Sequence, residues 1–293
     1  MLLNALSSRR DPTRSAIDGV PHETERTALL FASCCIADAC AVLGAKHAVA
    51  ATACVLLQRF FRVSSLKHFD VSVRSWIVSI AALTLLTDWR EREQDMAMGA
   101  VFLASKLQEA PLRMRDIVNT FDYLLRRGGG DYDALDYFAQ AFYDAKDRLV
   151  VAEMHLLKRV GFHTTCDLPF GYLVNHLRVL DLHERDDVVR RAWAFVNDML
   201  KTPLPALEPP SLLSITAIYL ATRQLGVALP LRPAPWWTLF DATQAQIATC
   251  ARDVLAIYDN DRQQHTSSLW DRYRDGSLLV DKRAIRLALS EPA

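Results

Sequence analysis

The segment DMAMGAVFLASKLQEAPLRMRDIVNTF, residues 95–121, decides the fold of this chain. Its apolar spacing predicts one helix over about 95–107, a proline-containing break, and a second helix over about 112–126. The septet AVFLASK at 100–106 returns as AIYLATR at 217–223, and every pair of side chains matches in size and polarity. One helical unit is therefore used twice in the chain.

Composition and charge restrict the class of protein. Of the 293 residues, 51% are hydrophobic, which is enough for two helical cores, and the formal net charge is zero. A neutral chain argues against a strongly basic surface, so we expect no direct nucleic-acid partner. The longest apolar run, residues 76–86, is too short for a membrane span, and no secretory signal opens the chain. The sequence predicts an intracellular protein with no membrane partner.

Cysteine and histidine spacing predicts neither a metal site nor a cofactor. The six cysteines contain no C-x-x-C pair and occupy mostly apolar stretches, which is typical of buried thiols in a reducing compartment. The eight histidines are scattered, and His155 and His176 are interpreted as helix residues. The glycines at 128–130 lack the strand–turn–helix context of a phosphate-binding loop, and no catalytic motif occurs. The chain is therefore not expected to be an enzyme.

Apolar periodicity predicts an all-α fold of two packed bundles, each of about five helices. No alternating strand pattern of useful length occurs. The predicted helices begin near Thr24 and near Val49 and then cover about 95–107, 112–126, 137–160, 170–180, 186–201, 211–225, 234–240 and 244–259. The predicted organisation is a flexible N-terminal arm at 1–22, a first domain at 23–163 with an atypical insert at 71–94, a second domain at 164–259, and a mostly irregular tail at 260–293.

Lys106 and Glu153 are charged residues at positions where apolar residues are expected. Lys106 follows Leu103 on the buried-looking side of its helix, and Glu153 lies on the apolar stripe of the helix at 137–160. A charge in such a position is costly unless it is paired. Neither has an opposite charge three or four residues away, so each needs a partner from elsewhere. Two interpretations remain: a structural ion pair, or a preorganised donor and acceptor for the backbone of a partner.

Several segments resemble a cyclin box. The segment FLASKLQEAPLRMRDIV at 102–118 resembles the centre of that fold, VLLQRFF at 55–61 resembles its second helix, and VAEMHLLKRVGF at 151–162 resembles its fifth. Together with LPLRPAPWWTLFDAT at 229–243, these segments are most similar to transcription and splicing cyclins of the L type. The resemblance covers about residues 23–259 apart from 71–94, and it implies two tandem five-helix cyclin-fold domains.

The resemblance also implies a function. Cyclins are not enzymes; they bind a cyclin-dependent protein kinase as a heterodimer and press its αC helix into the active position. The residues of the family that contact the kinase map onto Lys106 and Glu153, surrounded by the apolar contacts Leu103, Leu107 and Leu157. The acidic doublet of the family is Gln108-Glu109 here, so only Glu109 keeps the acidic character. The implied process is RNA polymerase II transcription or pre-mRNA splicing, and the implied location is the nucleus.

Two features set limits to the resemblance. A general transcription factor of the B type uses the same tandem fold as a scaffold for DNA and polymerase, and it is the alternative function. Such a factor normally has a Cys-rich zinc ribbon and a basic second half, which this sequence lacks. L-type cyclins usually carry a long Arg-Ser tail, whereas this sequence ends at Ala293 without one, so targeting to splicing speckles is not expected.

The segment at 71–94 interrupts the cyclin-like pattern. Without it, Lys67–Asp70 would continue directly into Asp95–Met98, which is a family-like junction. Codons for its Val-Ser, Leu-Thr and Gln residues can form splice-site and branch sequences, and this favours a translated intron that stays in frame. The alternative is a real inserted helix, which we would expect to be looped out of the core.

Overall fold

The structure is a computed structural model that describes residues 6–69, 96–126 and 137–263. Within these ranges the backbone forms α-helices and one 3-10 helix, with no β-strand, so the predicted all-α fold is confirmed. None of the described helices is long and apolar enough to cross a membrane. The helices are α1 (Arg14–Ile17), α2 (His22–Val42), α3 (His47–Val63), α4 (Met96–Leu107), α5 (Met114–Arg126), α6 (Gln140–Arg159), α7 (Pro169–Val179), α8 (Asp186–Leu200), α9 (Leu204–Leu207), α10 (Pro210–Gln224), the 3-10 helix (Trp236–Phe240) and α11 (Gln244–Gln263).

The described residues divide into two compact units. The N-terminal unit begins at Arg10 and ends at Thr164, and it contains α1 to α6. The C-terminal unit begins at Thr165 and contains α7 to α11, and the chain before Arg10 is also part of it. Each unit is described by itself below.

Each unit is built around one helix that is buried on all sides. In the N-terminal unit this helix is α4, in which every side chain from Met96 to Ser105 is buried, and it packs against α2, α3, α5 and α6. In the C-terminal unit it is α10, which packs against α7, α8 and α11. A helix that is apolar around its whole circumference is stable only in such a central position. The repeated septet therefore forms the centre of both cores.

Two glycines end helices of the N-terminal unit as the sequence predicts. Gly44 follows α2 with a φ of 61°, and Gly161 follows α6 with a φ of 63°. Both angles lie in the left-handed region that favours glycine and that commonly ends a helix. The lengths of α2 and α6, and hence the register of the residues on α6, depend on these two stops.

The N-terminal segment differs from the flexible arm predicted for residues 1–22. Thr13 caps α1, since its Oγ1 accepts a hydrogen bond from the Ala16 N–H at 3.1 Å. Ser15 is fully buried, and its hydroxyl oxygen accepts a hydrogen bond from the Leu66 N–H at 3.2 Å. Val20 is also buried. Residues 13–20 are thus packed against the N-terminal unit through partners that are distant in the sequence.

Residues 7–9 are held against the C-terminal unit. The Ser7 N–H donates to the Ala206 carbonyl at 2.8 Å. The Arg9 guanidinium pairs with Glu208 through Nε and with Asp253 through Nη1, the latter at 2.7 Å. A planar guanidinium has several donors in a fixed fork, so one arginine can bridge two carboxylates. This part of the predicted arm is an ordered strap.

The remaining differences concern the ends of elements. The proline-rich break predicted at 203–210 contains the helical turn α9, and α11 continues to Gln263 instead of ending near 259. The segment predicted as a helix at 234–240 is a 3-10 helix over its last five residues. The insert at 71–94, the glycines at 128–130 and the tail beyond Gln263 lie outside the described residues.

Candidate functional site

Lys106 and Glu153 are direct partners. The Lys106 Nζ lies 2.7 Å from Glu153 Oε1 and 2.9 Å from Oε2, so the ammonium group spans both oxygens of the carboxylate. The same Nζ lies 3.8 Å from the centre of the Phe102 ring, which is a favourable cation–π distance. Lys106 is in the last turn of α4, and Glu153 is in the second half of α6. The two charges singled out from the sequence therefore form one site.

The expectation that both charges are buried is wrong for Lys106. Its side chain is 45% exposed, whereas the Glu153 side chain is 13% exposed. A lysine can extend its aliphatic stem along apolar surface while its ammonium group stays in water. The site is therefore a half-exposed ion pair at the surface of the unit, where another molecule can reach it.

A close contact between two helices sets the position of the pair. Gly99 on α4 faces Ala152 on α6, and a Cβ atom at position 99 would lie 2.8 Å from Ala152 Cβ and 3.0 Å from the Glu153 nitrogen. Real Cβ atoms are essentially never found at the shorter of these distances, so the helices can approach so closely only with glycine at position 99. Lys106 follows Gly99 by two helical turns, about 11 Å along α4. The approach at Gly99 thereby brings the lysine within reach of Glu153.

The turn after α4 is held by side chains of the same segment. The buried Ser105 hydroxyl donates to the Phe102 carbonyl at 2.7 Å and accepts from the Leu112 N–H at 3.3 Å. Gln108, which replaces the first acidic residue of the cyclin pattern, donates through Nε2 to Thr52 Oγ1 at 2.8 Å. Glu109 is exposed and has a φ of 49°. Gln108 thus has a role within the unit, while Glu109 presents its carboxylate to solvent.

The three leucines predicted around the pair differ in accessibility. Leu103 is 3% exposed and belongs to the core of the N-terminal unit, so it supports the site from below. Leu107, at the end of α4, and Leu157, four residues after Glu153, are partly exposed. Of the predicted apolar contacts, Leu107 and Leu157 remain accessible to a partner.

The sequence prediction missed an apolar strip on α6. Val150, Val151 and Met154 each expose more than two fifths of their surface and, with Leu157, form what we call the α6 strip. Phe162, just beyond the end of α6, is also strongly exposed and has a φ of 57°. Such an angle is unusual for a bulky residue, and backbone strain of this kind concentrates at functional sites. The available signal was the presence of apolar residues at 150, 151 and 154, outside the buried stripe 149, 152, 156.

A cationic end follows the α6 strip. Lys158 and Arg159 are exposed in the last turn of α6, where cations are favoured by the helix dipole. The Arg159 Cζ lies 5.6 Å from the centre of the Phe69 ring, and the His155 ring lies 5.3 Å from the same ring. Burial and the charges of Lys158 and Arg159 lower the pKa of His155, which favours its neutral form near pH 7.

Comparison with known proteins identifies the family. No protein-family model matches the chain. Cyclin-L1-1 of Oryza sativa subsp. japonica is 30% identical over 276 residues, covering 94% of this chain and 57% of the relative. Cyclin-L1 of Homo sapiens is 31% identical over 255 residues, covering 85% and 43%, and Cyclin-L1 of Danio rerio is 27% identical over 284 residues, covering 97% and 52%.

The chain belongs to the cyclin family. It is similar to the L-type cyclins, as the sequence motifs predict, and it spans about half the length of the curated relatives it matches.

Solved structures show the same cyclin fold. A chain of the yeast RNA polymerase II CTD kinase complex CTDK-1 matches with a TM-score of 0.63 and 15% identity, covering 99% of this cyclin and 91% of that chain. A chain of the CAK complex from Chaetomium thermophilum bound to ATP-gamma-S matches with a TM-score of 0.59 and 16% identity, covering 94% and 76%. At such low identity these matches establish the fold.

The second copy of the septet in this cyclin repeats only half of the site. The Arg223 Cζ lies 5.7 Å from the centre of the Tyr219 ring, four residues earlier, as Lys106 lies over Phe102. In the described part of the C-terminal unit no carboxylate pairs with Arg223. The combination of a cation, an aromatic ring and a carboxylate is therefore a feature of the first copy.

Other chemically active side chains of the cyclin have structural roles. His176 Nδ1 lies 2.8 Å from Ser214 Oγ, and both residues are buried. Ser214 Oγ also lies 2.7 Å from the Ser211 carbonyl, to which it donates its single proton, so it accepts from His176 and is not an activated nucleophile. No group of three His, Cys, Asp or Glu residues in the described ranges could hold a metal ion.

Proposed function

We propose that this cyclin is the non-catalytic regulatory subunit of a cyclin-dependent protein kinase. It binds the kinase through the Lys106–Glu153 pair and the adjacent α6 strip, and it acts in RNA polymerase II transcription or pre-mRNA splicing in the nucleus. The observation that carries the proposal is the half-exposed ion pair beside exposed apolar residues on α6. The L-type relatives and the kinase complexes that contain structurally similar chains give the same indication.

The ion pair keeps hydrogen-bonding capacity for a partner. An ammonium group has three N–H donors, and two of them suffice for the contacts with the Glu153 oxygens at 2.7 and 2.9 Å. The third donor and the remaining carboxylate lone pairs point away from the pair. A partner helix can therefore offer a backbone carbonyl to Lys106 and a backbone N–H to Glu153 without breaking the ion pair.

The α6 strip supplies the apolar part of the interface. Exposed valine and methionine side chains on one helix face are the usual contact surface for an apolar helix face of a partner. Burial of such residues stabilises a complex by roughly 25 cal/mol per Å². The pair fixes the register of the bound helix, and the strip supplies the affinity. In this arrangement the kinase αC helix is held in its active position.

The proposal is tested by co-expressing the chain with each cyclin-dependent kinase catalytic subunit of the source organism and measuring the dissociation constant. We expect at least one subunit to bind and to phosphorylate a peptide of the RNA polymerase II C-terminal domain only in the complex. Glu153→Lys and Lys106→Glu should each raise the dissociation constant by about 30-fold or more, because an unpaired charge buried in an interface costs about 2–5 kcal/mol.

A matched control is available in the C-terminal unit. Arg185 and Asp187 form an exposed ion pair at 2.7 Å, and Asp187→Lys should leave kinase binding unchanged. Absence of binding to every subunit would overturn the proposal. Binding that is insensitive to both Lys106→Glu and Glu153→Lys would remove the pair from the interface. Phosphorylation of splicing factors in place of the polymerase peptide would assign the complex to splicing.

A further inference from the structure

An aromatic cluster lies at the start of α6 and is not explained by the proposed kinase contact. It consists of Tyr137, Phe138, Phe142 and Tyr143, and we call it the aromatic cluster. Phe138 is 81% exposed, and Tyr137 and Tyr143 are also exposed. The Tyr137 ring centre lies 5.4 Å from that of Phe138, 5.1 Å from that of Phe142 and 6.4 Å from that of Tyr143. Tyr137 therefore joins the exposed rings to the buried one.

The exposed rings are held in place before any partner binds. Phe142 is buried in the core of the N-terminal unit, and its ring centre lies 6.0 Å from that of Tyr143 at an angle of 83°. Edge-to-face contacts of this kind stabilise aromatic pairs by about 0.5–1.5 kcal/mol. Large rigid rings lose little conformational entropy on binding, and aromatic residues are over-represented among the residues that dominate interface energies.

The cluster lies within the area that a single partner would cover. Tyr143 precedes Glu153 by ten residues, which is about 15 Å along a helix that rises 1.5 Å per residue. A partner that buries about 800 Å² on this unit covers a circle of roughly 16 Å radius. Tyr143 is followed after two turns by Val150, so the cluster and the α6 strip are continuous on one helix. A molecule centred on Glu153 therefore reaches Tyr143 as well.

The charges around the cluster indicate the chemistry of the contacting segment. Asp144 and Asp147 are exposed within the first turns of α6, and Asp147 is four residues after Tyr143 on the same face. Lys146 and Arg148, the cations in these turns, are only partly exposed. The electron-rich ring faces and the two carboxylates both attract cations. The surface is thus suited to an arginine or lysine side chain that stacks on a ring and pairs with an aspartate.

We propose that the aromatic cluster and Asp147 form a second anchor for the same kinase subunit, which contacts it through a segment that carries arginine or lysine. This inference rests on the proposed function, because the occupant is the kinase bound at Lys106 and Glu153. The anchor extends the interface along α6 toward its N-terminus. It also makes the choice among kinases depend on a basic segment at that position.

The test uses the kinase subunit that binds the wild-type chain. We expect Phe138→Ser combined with Tyr143→Ser to raise the dissociation constant by about 10- to 100-fold, mainly through faster dissociation. Asp147→Lys should slow association and reduce the dependence of the association rate on ionic strength. Leu239→Ser, which changes an exposed apolar residue of the C-terminal unit, should leave both rates unchanged. Thermal unfolding of each variant shows whether it is folded.

A measurement on the unmodified chain keeps the test decisive if the double variant does not fold. Hydrogen exchange of the backbone amides at 137–147 should slow down when the kinase binds. Unchanged exchange there, or an affinity of the folded single variants Phe138→Ser and Tyr143→Ser within twofold of wild type, would overturn the inference. If Glu153→Lys still weakens binding in that case, the proposed function stands and only the second anchor fails. An effect of the variants on self-association alone would assign the cluster to a dimer contact and also overturn the inference.

Discussion

Gly99 on α4 lies against Ala152 on α6, and this contact determines how far Lys106 is from Glu153. A Cβ atom added at position 99 would come within 2.8 Å of Ala152 Cβ and 3.0 Å of the Ala152 carbonyl carbon. Neither atom belongs to a flexible side chain that could turn aside. The two helices would have to separate, and Glu153, the next residue, would move with them. A residue without a functional group thus controls the geometry of the ion pair.

Gly99→Ala should therefore destabilise the N-terminal unit by about 1–3 kcal/mol, the usual cost of overpacking a core. Urea-induced unfolding of wild type and variant measures the difference. Gly171→Ala is the matched control, because Gly171 is also helical but has nothing within 4 Å of its added Cβ. That variant should be neutral or more stable by up to about 1 kcal/mol, since alanine favours helix. Equal effects of the two substitutions would contradict the close contact at Gly99.

Lys106→Met and Glu153→Gln should each change the free energy of unfolding by only about 0–1 kcal/mol. The lysine is 45% exposed, and exposed ion pairs are screened by water and salt. A double-mutant cycle measured by urea unfolding should give a coupling energy of the same small size. A loss of about 3–5 kcal/mol from either change would indicate a buried pair instead. Kinase affinity is expected to be far more sensitive to both residues than stability is.

Periodicity was sufficient to predict the helices that have a strong apolar stripe or an apolar circumference. The helix predicted at about 95–107 is α4, Met96–Leu107, and the one predicted at 186–201 is α8, Asp186–Leu200. Burial of apolar surface stabilises these helices, and the sequence pattern encodes that burial directly. The pairing of Lys106 with Glu153 was also foreseeable, because each charge lacked a partner within its own helix.

The exposure of the pair and the packing of the N-terminal segment could not be predicted in this way. A lysine on an apolar stripe is read as buried, although its long stem lets the ammonium group leave the core at the last turn of α4. The contact of Arg9 with Asp253 joins residues 244 positions apart, and no local pattern announces it. Val150 and Met154 were overlooked because apolar residues on an exposed helix face have no local structural reason.

Acid should destabilise the C-terminal unit through His176. Burial lowers the pKa of His176 below its ordinary value of 6.5, so the unfolded chain takes up a proton at a higher pH than the folded chain does. The associated stability is complete above about pH 6.5 and is lost as the pH falls toward the folded pKa. Urea midpoints at pH 7.5 and 5.5 should therefore differ more for wild type than for His176→Asn, which does not titrate.

His163→Gln is the control for this pH dependence. His163 is exposed at the end of α6, so its replacement should leave the wild-type difference between the two midpoints intact. An NMR titration of the His176 ring should give a midpoint below 6.5. A His176→Asn protein that retains the full pH dependence would contradict the assignment.

Arg9→Ala should loosen the C-terminal unit by about 1 kcal/mol. Its guanidinium bridges Glu208 and Asp253, but it is about one third exposed, which reduces the contribution of each contact. Hydrogen exchange should become faster in α9 and α11, the helices next to these two acids. Arg9→Lys should recover only part of the effect, because a lysine cannot bridge both carboxylates in the same planar geometry. Arg14→Ala, which removes an exposed ion pair of the N-terminal unit, should leave α11 unaffected.

Thiol reactivity should distinguish Cys166 from the other five cysteines. Burial raises the pKa of Cys40 to about 12, and burial together with Glu208 and Asp253 raises the pKa of Cys250 to about 11, although Arg9 acts in the opposite direction. Cys34, Cys35 and Cys54 are buried as well, whereas Cys166 is partly exposed. Because the thiolate is the reactive form, a disulfide reagent at pH 8 should modify Cys166 first in the native protein and all six thiols in denaturant. Arg9→Ala removes the one influence that lowers the pKa of Cys250, so any faster reaction of Cys250 in that variant must come from opening of the unit and not from a more acidic thiol.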